Sequence, residues 1–226
     1  MFKLNAIPNS LSLPTELCPP DIANDVIYVC WQEIIQGDDD FSYLITEEFE
    51  EFTDEQAEQI AEIIVQARLQ QQASFGEVTT NLARAFAQLE QQQVLTDQMC
   101  EHTVQEGHSE LTAAAQETPD TWQGIAFIPG FSVQNFAEKA AEFTEAQVQE
   151  HAPTPETFVL GFATVLSPEE TTLPDTKADA LYIQRSAELM KNSIIPTLER
   201  YGISVEWSGD VEDLAILHNA EFYEPI

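Results

Sequence analysis

Basic residues are what this chain has least of: 8 Lys and Arg stand against 40 Asp and Glu, a formal net charge of −32 over 226 residues. A surface so charged repels nucleic-acid phosphate and anionic lipid, and attracts basic partners at rates that fall with salt. No nucleic-acid partner and no membrane partner are therefore expected. Cysteine is scarce as well. Cys18, Cys30 and Cys100 are odd in number, widely spaced and in no paired motif, which speaks against a disulfide framework and for buried thiols. Long apolar runs are missing, since no window approaches the roughly 18 apolar residues of a membrane span. The opening Met-Phe-Lys-Leu-Asn turns polar and Pro-bearing without an apolar stretch or small-residue cleavage site, so a cytoplasmic location is expected. No catalytic or ligand-binding signature of high specificity is found, and no internal repeat of useful length.

What the chain does have is acidity, and its density can be set against that of a duplex. A folded chain of this mass exposes roughly 10,000 Å², hence about one net negative charge per 300 Å². A duplex, with one charge per ~1.7 Å of axis on a cylinder of ~10 Å radius, carries about one per 100 Å². Imitation of a nucleic acid thus requires clustering, and one cluster is present. Asp38, Asp39, Asp40, Glu47, Glu48, Glu50, Glu51, Asp54, Glu55, Glu58 and Glu62 follow one another with no Lys or Arg between them, and Lys3 is the only basic residue before Arg68. Acidic runs are commonly solvated faces, and salt adaptation can acidify a whole proteome without making a site. The interleaved Phe41, Tyr43, Leu44, Ile45, Phe49 and Phe52 argue for an ordered segment, because such apolar density is foreign to a disordered acidic tail.

At 43% hydrophobic and 9% aromatic the chain can build one sizeable core or two small ones. After a lead punctuated by Pro8, Pro14, Pro19 and Pro20, residues 21–36 read as a helix stopped at Gly37, although 26–31 also fit a strand. Thr53 with Gln56 forms a capping-box signature for a helix over 54–72. Helical spacing continues over 76–92, and the glutamine triplets at 70–72 and 91–93 read as solvated surface. The second half alternates: strand 124–128, helix 133–149, strand 157–166 with Gly161 inside, and an acidic loop over 167–176. A helix over 177–201 follows, kinked by Pro196 and capped by Gly202, and a hairpin joins 203–207 to 214–217.

The stretch Leu-Glu-Arg-Tyr-Gly-Ile-Ser-Val-Glu-Trp-Ser-Gly-Asp at 198–210, with Ala-Phe-Ala-Gln-Leu at 85–89 and Gly-Ile-Ala-Phe at 124–127, resembles an uncharacterised bacterial family of unknown function over about residues 82–217. The resemblance implies a fold and no activity. Where members of that family tend to carry several clustered cysteines after the helix, only Cys100 stands here, so any metal or redox role in the family does not transfer.

Four constellations invite chemistry. Cys100, His102, His108 and Glu110 offer ligands that zinc accepts, but at a spacing matching no familiar template. Gly130-Phe131-Ser132-Val133-Gln134 has the setting of a nucleophile elbow, yet Gln134 replaces its last glycine; Ser132 reads as a helix N-cap, and Asp210 and His218 complete a triad in chain order only. Trp122, Phe127, Phe131, Phe136, Phe143, Phe158, Phe162 and Trp207 read as core rather than as a pocket lining. The acidic segment lacks the alternating spacing and central glycine of an EF-hand.

The expectation is an α+β protein: a mainly helical acidic region over 1–120 and an α+β region over 121–226 with a small mixed or antiparallel sheet and packed helices, one core or two being left open. It is expected to bind rather than catalyse, with no catalytic residues, no metal and no cofactor. The acidic segment would engage a basic protein as an inhibitor, immunity-type protein or nucleic-acid mimic, with Phe41, Tyr43, Phe49 and Phe52 as anchors. The alternatives are an uncharacterised hydrolase or metalloenzyme using Ser132 or the Cys100 and His108 segment, and a salt-adapted protein with no acidic site.

Overall fold

The computed structural model describes residues 2–100, 102–118, 121–151, 153 and 157–226. In chain order the elements are α1 (Phe2–Asn5), α2 (Ala23–Gln36), α3 (Ser42–Glu48), α4 (Asp54–Phe75), α5 (Asn81–Glu90), β1 (Val94–Cys100), α6 (Val104–Glu117) and β2 (Gly124–Pro129). There follow α7 (Gly130–Ala140), α8 (Glu145–Glu150), β3 (Phe158–Thr164), α9 (Asp175–Leu189), α10 (Ile195–Arg200), β4 (Ser204–Glu206) and β5 (Ala215–His218). The fold is α+β. The described residues form two compact units, one of Met1–Val78, Gln134–Thr154 and Tyr223–Ile226, the other of Thr79–Val133 and Pro155–Phe222. The sequence division at 120 falls on Asp120, outside the described residues.

The first unit is helical. Val26, Ile27, Cys30, Trp31, Ile34 and Ile35 bury one broad face of α2, so the helix reading of 21–36 holds over the strand alternative. The helix ends because Gly37 takes a left-handed φ of 87°, which lets its N–H reach the Ile34 carbonyl at 3.2 Å and the Asp38 N–H reach that of Glu33 at 3.0 Å. The capping box at α4 is formed in full: the Gln56 N–H donates to Thr53 Oγ1 at 3.3 Å and the Thr53 N–H to Gln56 Oε1 at 3.1 Å. Arg68, on the inner face of α4, is wholly buried. Its guanidinium donates to the carbonyls of Leu4 at 2.7 Å and Glu224 at 3.3 Å and to Gln71 Oε1 at 2.8 Å, and it lies 5.0 Å from the Tyr223 ring centroid. Burial lowers its pKa to about 10.

The single helix expected over 133–149 is instead two. The backbone there is drawn into a bridge with Ile7, whose N–H donates to the Phe143 carbonyl at 2.9 Å and whose carbonyl accepts from Glu145 at 3.0 Å. Thr144 and Gln147 then form a capping box that starts α8 afresh.

The second unit holds a five-stranded mixed sheet in the order β1-β2-β3-β5-β4 among the described residues. Only β1 and β2 run parallel, joined by the α6 crossover; the other pairs are antiparallel, including the expected β4–β5 hairpin. Every residue of β2 is buried, as befits a strand covered on both faces. α5 starts at Asn81, later than the periodicity suggests, because Thr80 caps it by accepting from the Ala83 N–H at 3.1 Å. Between the helix expected to end at 92 and the strand expected from 124 the chain forms two further elements, β1 and α6. Ser132 is not an N-cap: α7 begins at Gly130, and the buried Ser132 hydroxyl accepts from the Val159 N–H at 2.9 Å. The helix expected over 177–201 is divided into α9 and α10 by a π-helical turn over Met190–Ile194, the wider turn preceding Pro196, which has no N–H to donate. Gly202 has a φ of 84° just past α10, as a helix stop requires.

Candidate functional site

The acidic segment occupies the loop after Gly37, helix α3 and the first turns of α4. Asp39, Asp40, Glu47, Glu48, Glu50, Glu51, Asp54, Glu55, Glu58 and Glu62 are all exposed. Asp38 is half-buried and turns back on its own loop, Oδ1 accepting from the Asp40 N–H at 2.8 Å. The apolar residues between them part company. Phe41 (0% exposed) and Phe52 (8%) belong to the core, and Phe49 packs edge-on against Phe52 at 6.1 Å. Tyr43 alone of the expected anchors stands out, at 52% exposed. Three of the four aromatics are thus the reason the segment is ordered, and a partner would meet carboxylates and one phenol. Partial desolvation, and then the surrounding Glu33, Asp38, Glu47 and Asp40 carboxylates, push the Tyr43 hydroxyl above its ordinary pKa. Glu33 is raised too, by burial and by Asp38.

The remaining sequence candidates lie in the second unit, except Phe136 and Phe143, which belong to the first. Cys100 Sγ turns inward to the Ile128 carbonyl at 3.5 Å, whereas His102 and Glu110 are exposed, so these do not converge with His108. Ser132 is committed to Val159, the Asp210 carboxylate accepts from the Glu212 N–H at 3.0 Å, and His218 Nε2 lies 3.3 Å from Glu206. Each member of the candidate triad has a different partner. Of the aromatic set, Phe127, Phe136, Phe158 and Phe162 are core, while Trp122, Phe131, Phe143 and Trp207 are half-buried.

One polar arrangement was not anticipated. His108 on α6 is half-buried, with Nε2 3.1 Å from the Tyr182 hydroxyl of α9. Tyr182 is hydrogen-bonded by Ser186, whose Oγ accepts from the Thr164 N–H at 3.0 Å. A hydroxyl has one proton and two lone pairs, so Ser186, having accepted from the Thr164 N–H, can donate to Tyr182 or accept from it, and the direction of the Tyr182–His108 bond follows the imidazole tautomer. Burial lowers the His108 pKa, and raises that of Tyr182 against the opposing Ser186 bond. The pair opens on a cavity of about 310 Å³ whose floor is Phe127 and Phe162 and whose rim is the loop over 211–214. Gly161 keeps the floor tight: a Cβ there would run into the Phe127 ring, as would one at Gly107. Trp207 packs edge-on to Phe162 at 5.5 Å and donates to the Asp210 carbonyl at 2.7 Å, which fixes the rim loop. No short motif marks this site, because its four polar members come from α6, β3 and α9. The helix bearing His108 could have been found from Thr103 and Glu106, a capping box formed in full.

Among the described residues no group of three or more His, Cys, Asp or Glu is placed to hold a metal ion, and no helix is long and apolar enough to cross a membrane. No curated protein and no solved structure matches the chain. Residues 30–220, which include the stretches at 85–89, 124–127 and 198–210 that carry the resemblance, match the family Domain of unknown function (DUF6891), and the chain belongs to that family.

Proposed function

We propose that this protein is a non-catalytic binding protein that engages a basic protein partner through the α3–α4 acidic face, in the manner of an inhibitor, immunity-type protein or nucleic-acid mimic. The observation that carries this reading is that the acidic run has no cation of its own. Ten exposed carboxylates lie between residues 39 and 62 with no Lys or Arg among them, and Arg68, the next cation along the chain, points into the core. Lys139 of the same unit bonds Glu142 at 2.8 Å. Such a face steers a cation-rich surface toward itself and gives it register, while Tyr43 offers one aromatic contact at the point of docking. The buried Cys18, Cys30 and Cys100 suit a reducing compartment, and we place the protein in a bacterial cytoplasm.

The test compares wild-type bait with a variant neutralised at Asp39, Glu47, Glu51 and Glu55, first in pull-downs at low and moderate salt and then in association kinetics. A basic protein is expected on the wild type alone, with an association rate that falls steeply with salt and a variant rate that is slower by about tenfold or more and nearly salt-independent. Equal capture and equal rates would remove the proposal in favour of acidity as adaptation to salt. The hydrolase alternative draws no support from Ser132, Asp210 and His218, which engage three different partners.

A further inference from the structure

The His108–Tyr182 cavity lies in the second unit, outside the acidic face, and its walls have a definite chemical preference. Val104, Val211 and Leu214 supply apolar surface, Leu214 with 41% of its area exposed at the mouth. Glu212 and Asp213 supply two exposed carboxylates from the rim loop. Asp213 is oriented by the Ser208 hydroxyl, which donates to its Oδ2 at 2.7 Å. Among the described residues no Lys or Arg lines the cavity, and Lys191 stacks over the Trp207 ring at 5.8 Å instead. Burial lowers the His108 pKa from its ordinary value, which disfavours a positive charge there. A volume of about 310 Å³ is the lower end of what small-molecule sites occupy.

We propose that this cavity binds a small amphipathic amine, with its protonated nitrogen between the Glu212 and Asp213 carboxylates and its apolar body against Val104, Tyr182 and Leu214. An anion would meet two carboxylates and no cation; a neutral apolar molecule would leave those carboxylates unused. The Tyr182 ring adds its π face to the attraction for a cation. The inference is independent of the acidic-face reading and survives its failure.

Three probes of one shape and different charge decide it: 2-phenylethylamine, 2-phenylethanol and phenylacetate, titrated calorimetrically into the full-length protein at about 0.15 M salt to screen the general field. The amine is expected to bind saturably at one site, about tenfold more tightly than the alcohol, with no measurable binding of the carboxylate. Glu212→Gln, a change at an exposed side chain, is expected to weaken the amine about threefold or more, whereas Glu55→Gln in the first unit leaves it unchanged. Equal affinity for amine and alcohol, saturation by none of the three, or the same loss from Glu55→Gln as from Glu212→Gln would each overturn the proposal.

Discussion

Arg68 puts one of the chain's 8 basic side chains where no partner can reach it. Its five donors suit a site made of carbonyls from Leu4 and Glu224 and the side chains of Gln71 and Asn5, with the Trp31 and Tyr223 rings against its faces. Removing it strands buried acceptors that were desolvated for its sake, and each stranded group costs about 1–3 kcal/mol. Arg68→Met is therefore expected to lower the unfolding free energy by about 3 kcal/mol, read from urea titration of tryptophan fluorescence. Arg68→Lys should recover only part of the loss, because a single ammonium cannot serve acceptors arranged around a planar fork. Full stability in either variant would show that these contacts are incidental.

The elements were legible where their ends are chemically marked. Gly37 stops α2, Thr53 with Gln56 opens α4, and Gly202 follows α10, each with the bond or dihedral that its residue type implies. Thr53→Ala tests the first of these starts: loss of the cap is expected to cost about 1 kcal/mol in thermal or urea unfolding, with Thr53→Ser close to wild type. β1 was illegible for a physical reason. Only its ends, Val94 and Cys100, are fully buried, and its centre reads Thr96, Asp97 and Gln98, an edge strand with no apolar alternation and a register shift where Asp97 caps the Met99 N–H at 2.9 Å. The break between α7 and α8 depends on Ile7, more than 100 residues away in sequence, and no local pattern records it. Within the site, charge is a property of composition and could be read directly. Which aromatics are exposed is a property of packing: Phe41 and Tyr43 look alike in sequence and lie on opposite sides of the surface. The Thr164–Ser186–Tyr182–His108 chain, drawn from three elements, belongs to tertiary structure altogether.

For the whole molecule, a net charge of −32 is itself a force opposing compaction. Screening shortens the reach of that repulsion from about 30 Å at 0.01 M salt to about 10 Å at 0.1 M. The midpoint of thermal unfolding is accordingly expected to rise by several degrees between about 0.01 and 0.3 M sodium chloride, most steeply at the low end; a flat or falling midpoint would mean that the carboxylates are too well hydrated to oppose folding. The order in which the chain visits its two units has a further consequence, for synthesis. The first unit takes its residues from 1–78, 134–154 and 223–226, so the segment between Thr79 and Val133 and that between Pro155 and Phe222 leave the ribosome while it is still incomplete. The carbonyl of Glu224, which accepts from Arg68, is made after every residue of the second unit. Begun before the other unit, the helical unit is finished after it, and until then it presents a nascent chain with an unfilled interior to whatever chaperones attend the tunnel exit.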